Sequence, residues 1–531
     1  MSVGGKAAPL LSRLGLGVSR FGLGVSRFGL GVWWGGLLAL MAGSAFGAKT
    51  CAELKSLTLA NTTITAAEAV DAGAFRAAGA KGTQAFADLP AFCRVLATLK
   101  PSTDSDIKVE VWLPAAPKWN GKFRGTGNGG LGGGATVAPG PLAGAVRDGY
   151  ATAGNNTGHE GGSEYAIGHP EKVKDFGYRS SHEMVVFAKA LIKAHYDIPL
   201  KYSLMAEAGG GTIAALSAAQ RYPEDYDLLE ATSMSSFLTR HTFGQMWIWY
   251  ANHQDAASFI PPEKYPAVHA AALKACDAAD GVADGLIGAV ETCKFDPAVV
   301  QCKGADSNDC LTTAQVATAK KMYAGPKNPR TGEQIYSSIY PGSELGWAQL
   351  AAGAEPLGIP VDFFRYYVFQ DPKWDYKARM LDFDKDVAKA DRAEIAAVNA
   401  VDPDLKKYFA RGGKLMLIGG WADAAVPPAV AVNYYKAVVA KTGAGATKAS
   451  MRFYMVPGMG HGGGTTGAEN FNVDTLALME QWKAGKAPDT LVVDHYKDGK
   501  KVGQRLVCQY PQVAIYKGSG SVEEAGSFRC K

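Results

Sequence analysis

The chain has 531 residues, 47% of them apolar, and its 55 basic and 50 acidic residues leave a formal net charge of +5. This composition excludes a disordered or fibrous protein and predicts a core large enough for one large domain with a second domain inserted into it. After the N-terminus no basic run is dense enough to suggest nucleic acid, so we expect none as a partner.

The N-terminal segment has the pattern of a secretory signal. An apolar stretch from Val32 to Ala42 ends in small residues and follows four basic side chains, Lys6, Arg13, Arg20 and Arg27. We expect a signal peptide over residues 1–47 and a secreted or periplasmic protein with no stable membrane association after cleavage. An uncleaved anchor is the alternative, which a short and glycine-rich apolar stretch disfavours.

Eight cysteines follow the signal, and in an oxidising compartment this even number predicts four disulfides. Their spacing separates an N-terminal pair, a middle group of four and a C-terminal pair, so we expect local bridges. None has the spacing of a metal site. The cysteines are Cys51, Cys93, Cys276, Cys293, Cys302, Cys310, Cys508 and Cys530.

A glycine-rich run from Gly125 to Gly134 follows residues 107–113, whose alternating pattern predicts a strand. Such a loop offers exposed backbone N–H groups, which could form an oxyanion hole. A flexible surface loop is the alternative. A dinucleotide-binding loop is disfavoured, because no helix pattern begins after the glycines.

Strand and helix patterns then alternate along the chain. A short strand is predicted over 149–154, a core-facing helix over 182–195 and another strand over 202–206. This alternation predicts an α/β protein whose mostly parallel sheet carries helices on both faces.

The stretch from Tyr202 to Asp227 reads as a strand, a tight turn and a helix. This arrangement is the nucleophile elbow of an α/β-hydrolase, where a strained turn presents a reactive side chain at the start of a helix. The expected residue is a serine, but the turn has none. Glu207 is its only reactive side chain before Thr212.

An irregular segment rich in aromatic residues predicts a lid domain over residues 236–400, inserted into a catalytic domain formed by residues 48–235 and 401–531. Its aromatic residues could line a pocket for a flat substrate or form the core of the insertion. Within it, carboxylates at spacings of three and four could bind a structural calcium ion together with two backbone carbonyls. A plain acidic turn is the alternative. The ligands would be Asp277, Asp280, Val282, Asp284 and Leu286.

Two candidate catalytic residues follow the insertion. Asp423 comes just after the buried strand 414–418, where α/β enzymes place catalytic groups. His461 lies on a glycine-rich loop after the strand 452–456. The order of elbow, acid and histidine is that of an α/β-hydrolase triad.

In these motifs the chain resembles the secreted tannase and feruloyl esterase family, which includes the hydrolase of the terephthalate monoester of ethylene glycol. The resemblance covers nearly everything after the signal. It rests on Trp119-Asn120-Gly121 with the glycine-rich loop, Thr157-Gly158-His159, His169-Pro170-Glu171, Asp175-Phe176-Gly177-Tyr178-Arg179 with His182, Arg221-Tyr222-Pro223-Glu224-Asp225, the acidic loop at Asp277, Gly420-Trp421-Ala422-Asp423, and Val456-Pro457-Gly458-Met459-Gly460-His461.

This resemblance implies an α/β-hydrolase fold with a large inserted lid that binds an aromatic acyl group. It implies Asp423 and His461 as triad members and calcium at the acidic loop. We expect the oxyanion donors to be Gly129, Gly130 and Ala208.

The departures from the family pattern fall at the reaction centre. Family members typically carry Gly-Cys-Ser-x-Gly-Gly at the elbow, with that cysteine bridged to one directly after the catalytic histidine. Here position 462 is glycine and the elbow has no cysteine. Counting forward from Tyr202 puts Glu207 in place of the serine, whereas counting back from Arg221 puts Gly209 there. We favour Glu207, because residues 207–210 preserve the Ser-x-Gly-Gly frame.

Three mechanisms are open with Glu207 at the elbow. Its carboxylate could attack, as the resemblance to haloalkane dehalogenases and epoxide hydrolases implies. It could act as a general base, or a histidine-activated water could attack directly. With Gly209 there, an acyl-enzyme is lost unless Thr212 or another hydroxyl substitutes.

We predict a carboxylic ester hydrolase that acts on an ester, or a related bond, of a small aromatic compound, with Glu207, Asp423 and His461 at its centre. One alternative is a lyase or isomerase that uses Glu207 and His461 as an acid and base pair. The other is a non-catalytic member that binds an aromatic ligand.

Overall fold

The computed structural model describes residues 47–77, 86–134, 137–461, 469–497 and 499–531. The predicted signal peptide therefore lies outside the described residues, apart from Gly47. Residues 46–531 form one compact unit. None of the helices in the described ranges combines the length and the apolarity that crossing a bilayer requires.

A nine-stranded sheet forms the centre of this unit, with the strand order β1-β2-β3-β5-β4-β6-β7-β8-β9. β1, β2, β3 and β5 are antiparallel neighbours, and the strands from β5 to β9 are paired in parallel. The strands are β1 (Thr62–Val70), β2 (Phe92–Leu99), β3 (Ile107–Pro114), β4 (Lys122–Gly125), β5 (Ala151–Asn155), β6 (Tyr202–Ala208), β7 (Leu228–Thr232), β8 (Lys414–Gly420) and β9 (Met451–Val456).

Helices cover both faces of this sheet, as predicted. The α-helices of the described ranges are α1 (Pro139–Arg147), α2 (Pro170–Lys174), α3 (Ser180–Tyr196), α4 (Thr212–Arg221), α5 (Leu238–Asn252), α6 (Tyr265–Cys276), α7 (Thr313–Ala324), α8 (Ala348–Ala351), α9 (Gly358–Asp362), α10 (Lys385–Ala390), α11 (Ala393–Ala396), α12 (Lys406–Ala410), α13 (Ala429–Thr442), α14 (Ala444–Ser450) and α15 (Thr475–Lys483).

The alternation of side chains along the strands divides the core between these faces. Met205 and Leu229 pack in the cluster that contains α3 and α4. Their neighbours Leu204 and Leu228 pack in the cluster that contains residues of α1 and α15. Strands buried on both sides are continuous apolar runs, which is why β8 was recognisable from sequence. The α/β-hydrolase architecture is confirmed.

Residues 233–413 lie between β7 and β8 and add no strand to the main sheet. They form the helices α5 to α12 instead. The predicted insertion 236–400 falls within this segment, and its boundaries as a lid domain stay a prediction.

Two smaller sheets follow β9. β10 (Glu469–Asn472), β11 (Thr490–Lys497) and β12 (Lys500–Cys508) form one, and β13 (Ala514–Tyr516) and β14 (Phe528–Cys530) form the other. All eight cysteines are paired locally, which confirms the predicted grouping. The bridges are Cys51–Cys93, Cys276–Cys293, Cys302–Cys310 and Cys508–Cys530.

Four parallel strands end at the same edge of the sheet and bring the candidate site together. The glycine-rich loop follows β4, and the elbow turn begins after β6 at Gly209. Asp423 lies three residues beyond β8, and His461 lies five residues beyond β9.

Candidate active site

The structure brings Asp423 and His461 together. The Nδ1 of His461 lies 3.1 Å from the Oδ2 of Asp423, and the backbone N–H of Val426 donates to Oδ1 at 2.8 Å. Asp423 is 1% exposed. With Nδ1–H donated to the carboxylate, Nε2 of His461 is free to accept a proton, which is the arrangement of a triad acid and base.

Backbone hydrogen bonds fix the acid loop to the histidine loop. Trp421 N–H donates to the carbonyl of Val456 at 3.0 Å, and Ala422 N–H donates to that of Met459 at 3.0 Å. The two loops approach so closely that a Cβ at Gly420 would lie 2.0 Å from the carbonyl oxygen of Met459. A glycine is therefore required there.

The environment of His461 favours its charged form. Burial lowers the pKa of His461, but the hydrogen bond that it donates to Asp423 and the charge of that carboxylate raise the pKa by more, so it lies above its ordinary value. A histidine held in this way accepts a proton readily, as a general base must.

Gly209 is the elbow residue that faces His461. Its φ of +56° lies in the left-handed region, which is the strained backbone expected of a nucleophile elbow. A Cβ at Gly209 would lie 3.1 Å from Nε2 of His461 and 3.5 Å from Cε1. Of the two alignments left open by the sequence, the geometry matches the one that puts Gly209 in the place of the serine.

Glu207 lies two residues before Gly209, inside strand β6. The favoured alignment had instead assigned Glu207 to the elbow position. Its Oε1 accepts a hydrogen bond from the backbone N–H of Gly127 at 2.6 Å. A Cβ at Gly127 would lie 3.0 Å from the Glu207 carboxyl, and one at Gly211 would lie 2.4 Å from Oε2. In the described part of the chain no hydrogen bond joins Glu207 to His461. The side chain thus fills a slot between the elbow and the glycine-rich loop.

Glu207 is half-buried in this slot, and the carboxyl group of Glu230 nearby is buried. Burial raises the pKa of Glu207 to about 7, although the Gly127 N–H and the charge of Arg124 lower it. Burial also raises the pKa of Glu230 to about 8, and the charge of Glu207 adds to that rise. The raised pKa of Glu207 means that its neutral form is accessible near neutral pH.

The hydroxyl of Thr212 is engaged in hydrogen bonds at the turn. It donates to the carbonyl of Gly209 at 2.6 Å and accepts from the N–H of Ser235 at 3.0 Å. The residue is fully buried. These bonds leave it unsuited to replace the missing serine.

Polar residues after β5 support the glycine-rich loop. Asn128 donates its side-chain N–H to the carbonyl of Asn155 at 2.7 Å, and Gly134 N–H donates to that of His159 at 3.1 Å. The hydroxyl of Thr157 donates to the carbonyl of Gly132. The loop is therefore a braced element, and the alternative of a free surface loop does not apply.

The glycine-rich loop and the elbow turn are in close contact. A Cβ at Gly210 would lie 2.4 Å from the backbone nitrogen of Gly130, so the loop and the elbow touch at this point. The N–H of Gly210 opens a helical turn and has no partner within it. Of the predicted donors, Gly130 lies here and Gly129 precedes it. Ala208 pairs with Thr232 at the end of β6, and its part as a donor stays a prediction.

The predicted calcium loop gathers carboxylates that are mostly buried. Asp277 accepts from the N–H of Gly285 at 2.8 Å, and Asp280 accepts from that of Val282 at 3.3 Å. Asp284 forms an ion pair with Arg505 at 3.2 Å. Their oxygens are not all within 4.8 Å of one another, yet three carboxylates and nearby carbonyls are the donors that Ca²⁺ prefers. The residues present fit the ion.

This acidic loop also touches the histidine loop. A Cβ at Gly458, which has a φ of +72°, would lie 2.4 Å from Cδ2 of Leu286. The side chain of Leu286 thus packs on the backbone three residues before His461. The conformation of the acidic loop therefore affects the position of His461.

Most aromatic residues of the insertion form its core, which was the second of the two alternatives drawn from the sequence. The buried ones are Phe243, Trp249, Tyr250, Tyr265, Tyr336, Trp347, Phe363, Phe364, Tyr367, Trp374 and Tyr376. Ile359 on α9 is 38% exposed, and its Cδ1 lies 3.5 Å from the Cβ position of Gly130. It is this aliphatic residue that brings the insertion to the glycine-rich loop.

Sequence reasoning missed His241, which supports the acid loop from α5. Its Nε2 donates to the carbonyl of Ala425 at 2.7 Å, two residues after Asp423, and its ring stacks on Tyr336 with centroids 5.6 Å apart. Burial lowers its pKa to about 4, so it is neutral. A lone histidine on an apolar helix gave no sequence signal for this role.

We expect His241→Phe to lower kcat about tenfold by letting the acid loop shift, with little change in KM. A less well placed Asp423 would support the charged form of His461 less, so the acidic limb of the pH profile of kcat/KM should move to lower pH. The matched control is His253→Phe, at the end of the same helix, where the ring stacks on Trp249. Equal profiles for His241→Phe and the unaltered protein would contradict this role.

The fold and the geometry define an α/β-hydrolase with a histidine–aspartate pair beside the elbow turn. The model of the family described as tannase and feruloyl esterase matches residues 93–531. An uncharacterized esterase of Xanthomonas campestris pv. campestris is 37% identical, over 93% of this chain and 93% of its own length. The chain belongs to the tannase and feruloyl esterase family and is a carboxylic ester hydrolase-like enzyme.

Fungal relatives agree with this assignment. A probable feruloyl esterase B-1 of Aspergillus oryzae is 29% identical, over 83% of this chain and 84% of its own. The crystal structure of feruloyl esterase B from Aspergillus oryzae matches with a TM-score of 0.82 at 28% identity, covering 91% of this chain and 99% of that one.

Proposed function

We propose that the protein is a secreted hydrolase of esters of aromatic compounds that works without a nucleophile of its own. One observation carries the proposal: Nε2 of His461 faces the side-chain position of Gly209, where no hydroxyl is present. A water molecule beside Gly209 and within hydrogen-bond reach of Nε2 takes the part of the serine.

In this mechanism His461, oriented by Asp423, removes a proton from the water as its oxygen attacks the ester carbonyl. The N–H groups of Gly130 and Gly210 stabilise the oxyanion that forms. His461 then gives the proton to the departing alcohol. Glu207 holds the glycine-rich loop against the elbow through Gly127 and does not attack.

The aromatic substrate is supported by the relatives named feruloyl esterases and by the apolar wall that Ile359 offers beside Gly130. Secretion is supported by the N-terminal signal pattern and by the four disulfides. We also propose that the acidic loop holds a structural calcium ion through Asp277, Asp280, Asp284 and the carbonyls of Val282 and Leu286. The ion would supply positive charge to the clustered carboxylates.

The test is turnover of hydroxycinnamate, gallate and terephthalate esters in ¹⁸O-labelled water, with His461→Ala as the inactive reference. We expect ¹⁸O in the acid product of the first turnover and none in the protein. Glu207→Gln should retain activity within about tenfold, because an amide can still accept from Gly127. Label in the Glu207 peptide would instead establish carboxylate attack, and complete loss in Glu207→Gln without such label would point to Glu207 as the general base. Failure to cleave any of these esters would favour the alternatives of a binding protein or a lyase.

A further inference from the structure

We propose that a cavity beside α13 is a second ligand site that binds a neutral phenol with one aromatic ring. The cavity has a volume of about 310 Å³. Its wall contains no residue of the glycine-rich loop, the elbow turn or the histidine–aspartate pair, so it is separate from the candidate active site. The residues that define it are Met234, Phe237, Ile335, Tyr336, Val430 and Tyr434.

The chemistry of the wall favours an aromatic ligand. Three rings, those of Phe237, Tyr336 and Tyr434, combine with aliphatic side chains, and small-molecule sites are mostly apolar with a few polar groups that orient the ligand. Here Ser337 and Asn433 supply such groups, and Asn433 lies at the exposed rim. A phenol offers a flat apolar body and one hydroxyl for these partners.

The absence of charged side chains from the wall disfavours an acidic ligand. No lysine, arginine, histidine, aspartate or glutamate is among its lining residues, all of which lie in the described ranges. A carboxylate entering the cavity would lose its hydration without gaining a cation, which is costly. The site therefore suits a neutral phenol and not a free hydroxycinnamic acid.

The aromatic walls are held in place before any ligand binds. The hydroxyl of Tyr434 accepts from Gln220 at 3.0 Å and donates to the carbonyl of Asp402 at 3.1 Å. The ring of Tyr336 packs so closely on α5 that a Cβ at Gly244 would lie 2.5 Å from its Cδ1. A preformed wall lowers the ordering cost of binding.

The cavity also borders the support of the catalytic acid. Tyr336 stacks on His241, and His241 holds the carbonyl of Ala425 beside Asp423. A ligand in the cavity would contact a residue of this support without touching the reacting atoms.

The test uses 4-ethylphenol, which has no ester bond, and isothermal titration of the purified protein. We expect saturable binding at one site. Ala437→Trp, on the exposed rim of the cavity, should weaken that binding at least tenfold by filling the space. Ala440→Trp is the matched control, because Ala440 is exposed on the same helix but does not line the cavity; it should bind as the unaltered protein does.

Two outcomes would overturn the site: no saturable binding to a folded protein, or binding that Ala437→Trp leaves intact and an ester substrate displaces. The second would place the phenol in the active site. The measurement needs no turnover, so its result is independent of whether esters are cleaved.

Discussion

Gly209→Ser is expected to raise ester hydrolysis about 100-fold or more and to create an acyl-enzyme, because it supplies the one missing member of the triad. The elbow already has the required φ of +56°. The new Cβ would lie 3.1 Å from Nε2 of His461. The imidazole must therefore move back by a few tenths of an ångström, and the hydroxyl is then within hydrogen-bond reach of the base. The measurements are kcat/KM, a burst of alcohol release, and a mass shift of the protein after treatment with a fluorophosphonate.

The control is Gly209→Ala, which adds the same Cβ and the same backbone strain but no hydroxyl. A residue other than glycine in the left-handed region costs about 1–2 kcal/mol of stability, so the melting temperatures of the two variants should fall together. Only the serine variant should react with the fluorophosphonate. A folded serine variant that neither reacts nor shows a burst would mean that His461 does not act on this position.

Much of the site was predictable because it follows from chain order. In a parallel sheet, consecutive loops at the carboxyl ends of strands meet at one edge. The positions of Asp423 and His461 after apolar runs therefore sufficed to bring them together. The glycine-rich loop was located by its composition, whereas the strand before it, β4, was not predicted. Local spacing was enough to group the cysteines.

The elbow residue was not predictable in the same way. Sequence counts placed either Glu207 or Gly209 in the serine position, depending on whether the strand or the helix served as the reference. Only the backbone direction at Gly209 and the distance to His461 decide between them. Glu207 drew attention as a reactive side chain, but its partner, the N–H of Gly127, lies on a different strand's loop.

The residues that support the acid loop could not be predicted from the sequence for a related reason. His241 contacts the acid loop and Tyr336 stacks on His241, and both lie in an insertion whose path over the sheet has no local sequence signature. The aromatic residues of that insertion were equally ambiguous, because a pocket and a core use the same side chains. Only the burial of each ring in the folded chain distinguishes a core residue from a pocket residue.

Removal of the proposed calcium ion is the second change for which we expect a large effect. Asp277 and Asp280 are buried, and without a cation their charges repel each other and that of Asp284. An ion that binds only the folded state at about 1,000 times its Kd adds about 4 kcal/mol to the free energy of unfolding. A chelator should therefore lower the melting temperature by at least about 5 °C, and calcium should restore it.

Activity should fall under the same treatment before the protein unfolds, because Leu286 packs on Gly458 just before His461. The matched pair of variants is Asp280→Asn and Asp306→Asn. Asp280 lies in the acidic loop, whereas Asp306 pairs with Lys264 elsewhere in the insertion. We expect Asp280→Asn to lose the response to calcium and Asp306→Asn to keep it. Equal melting temperatures with chelator and with calcium would show that Arg505 and the loop N–H groups alone balance these carboxylates, and that the loop is an acidic turn.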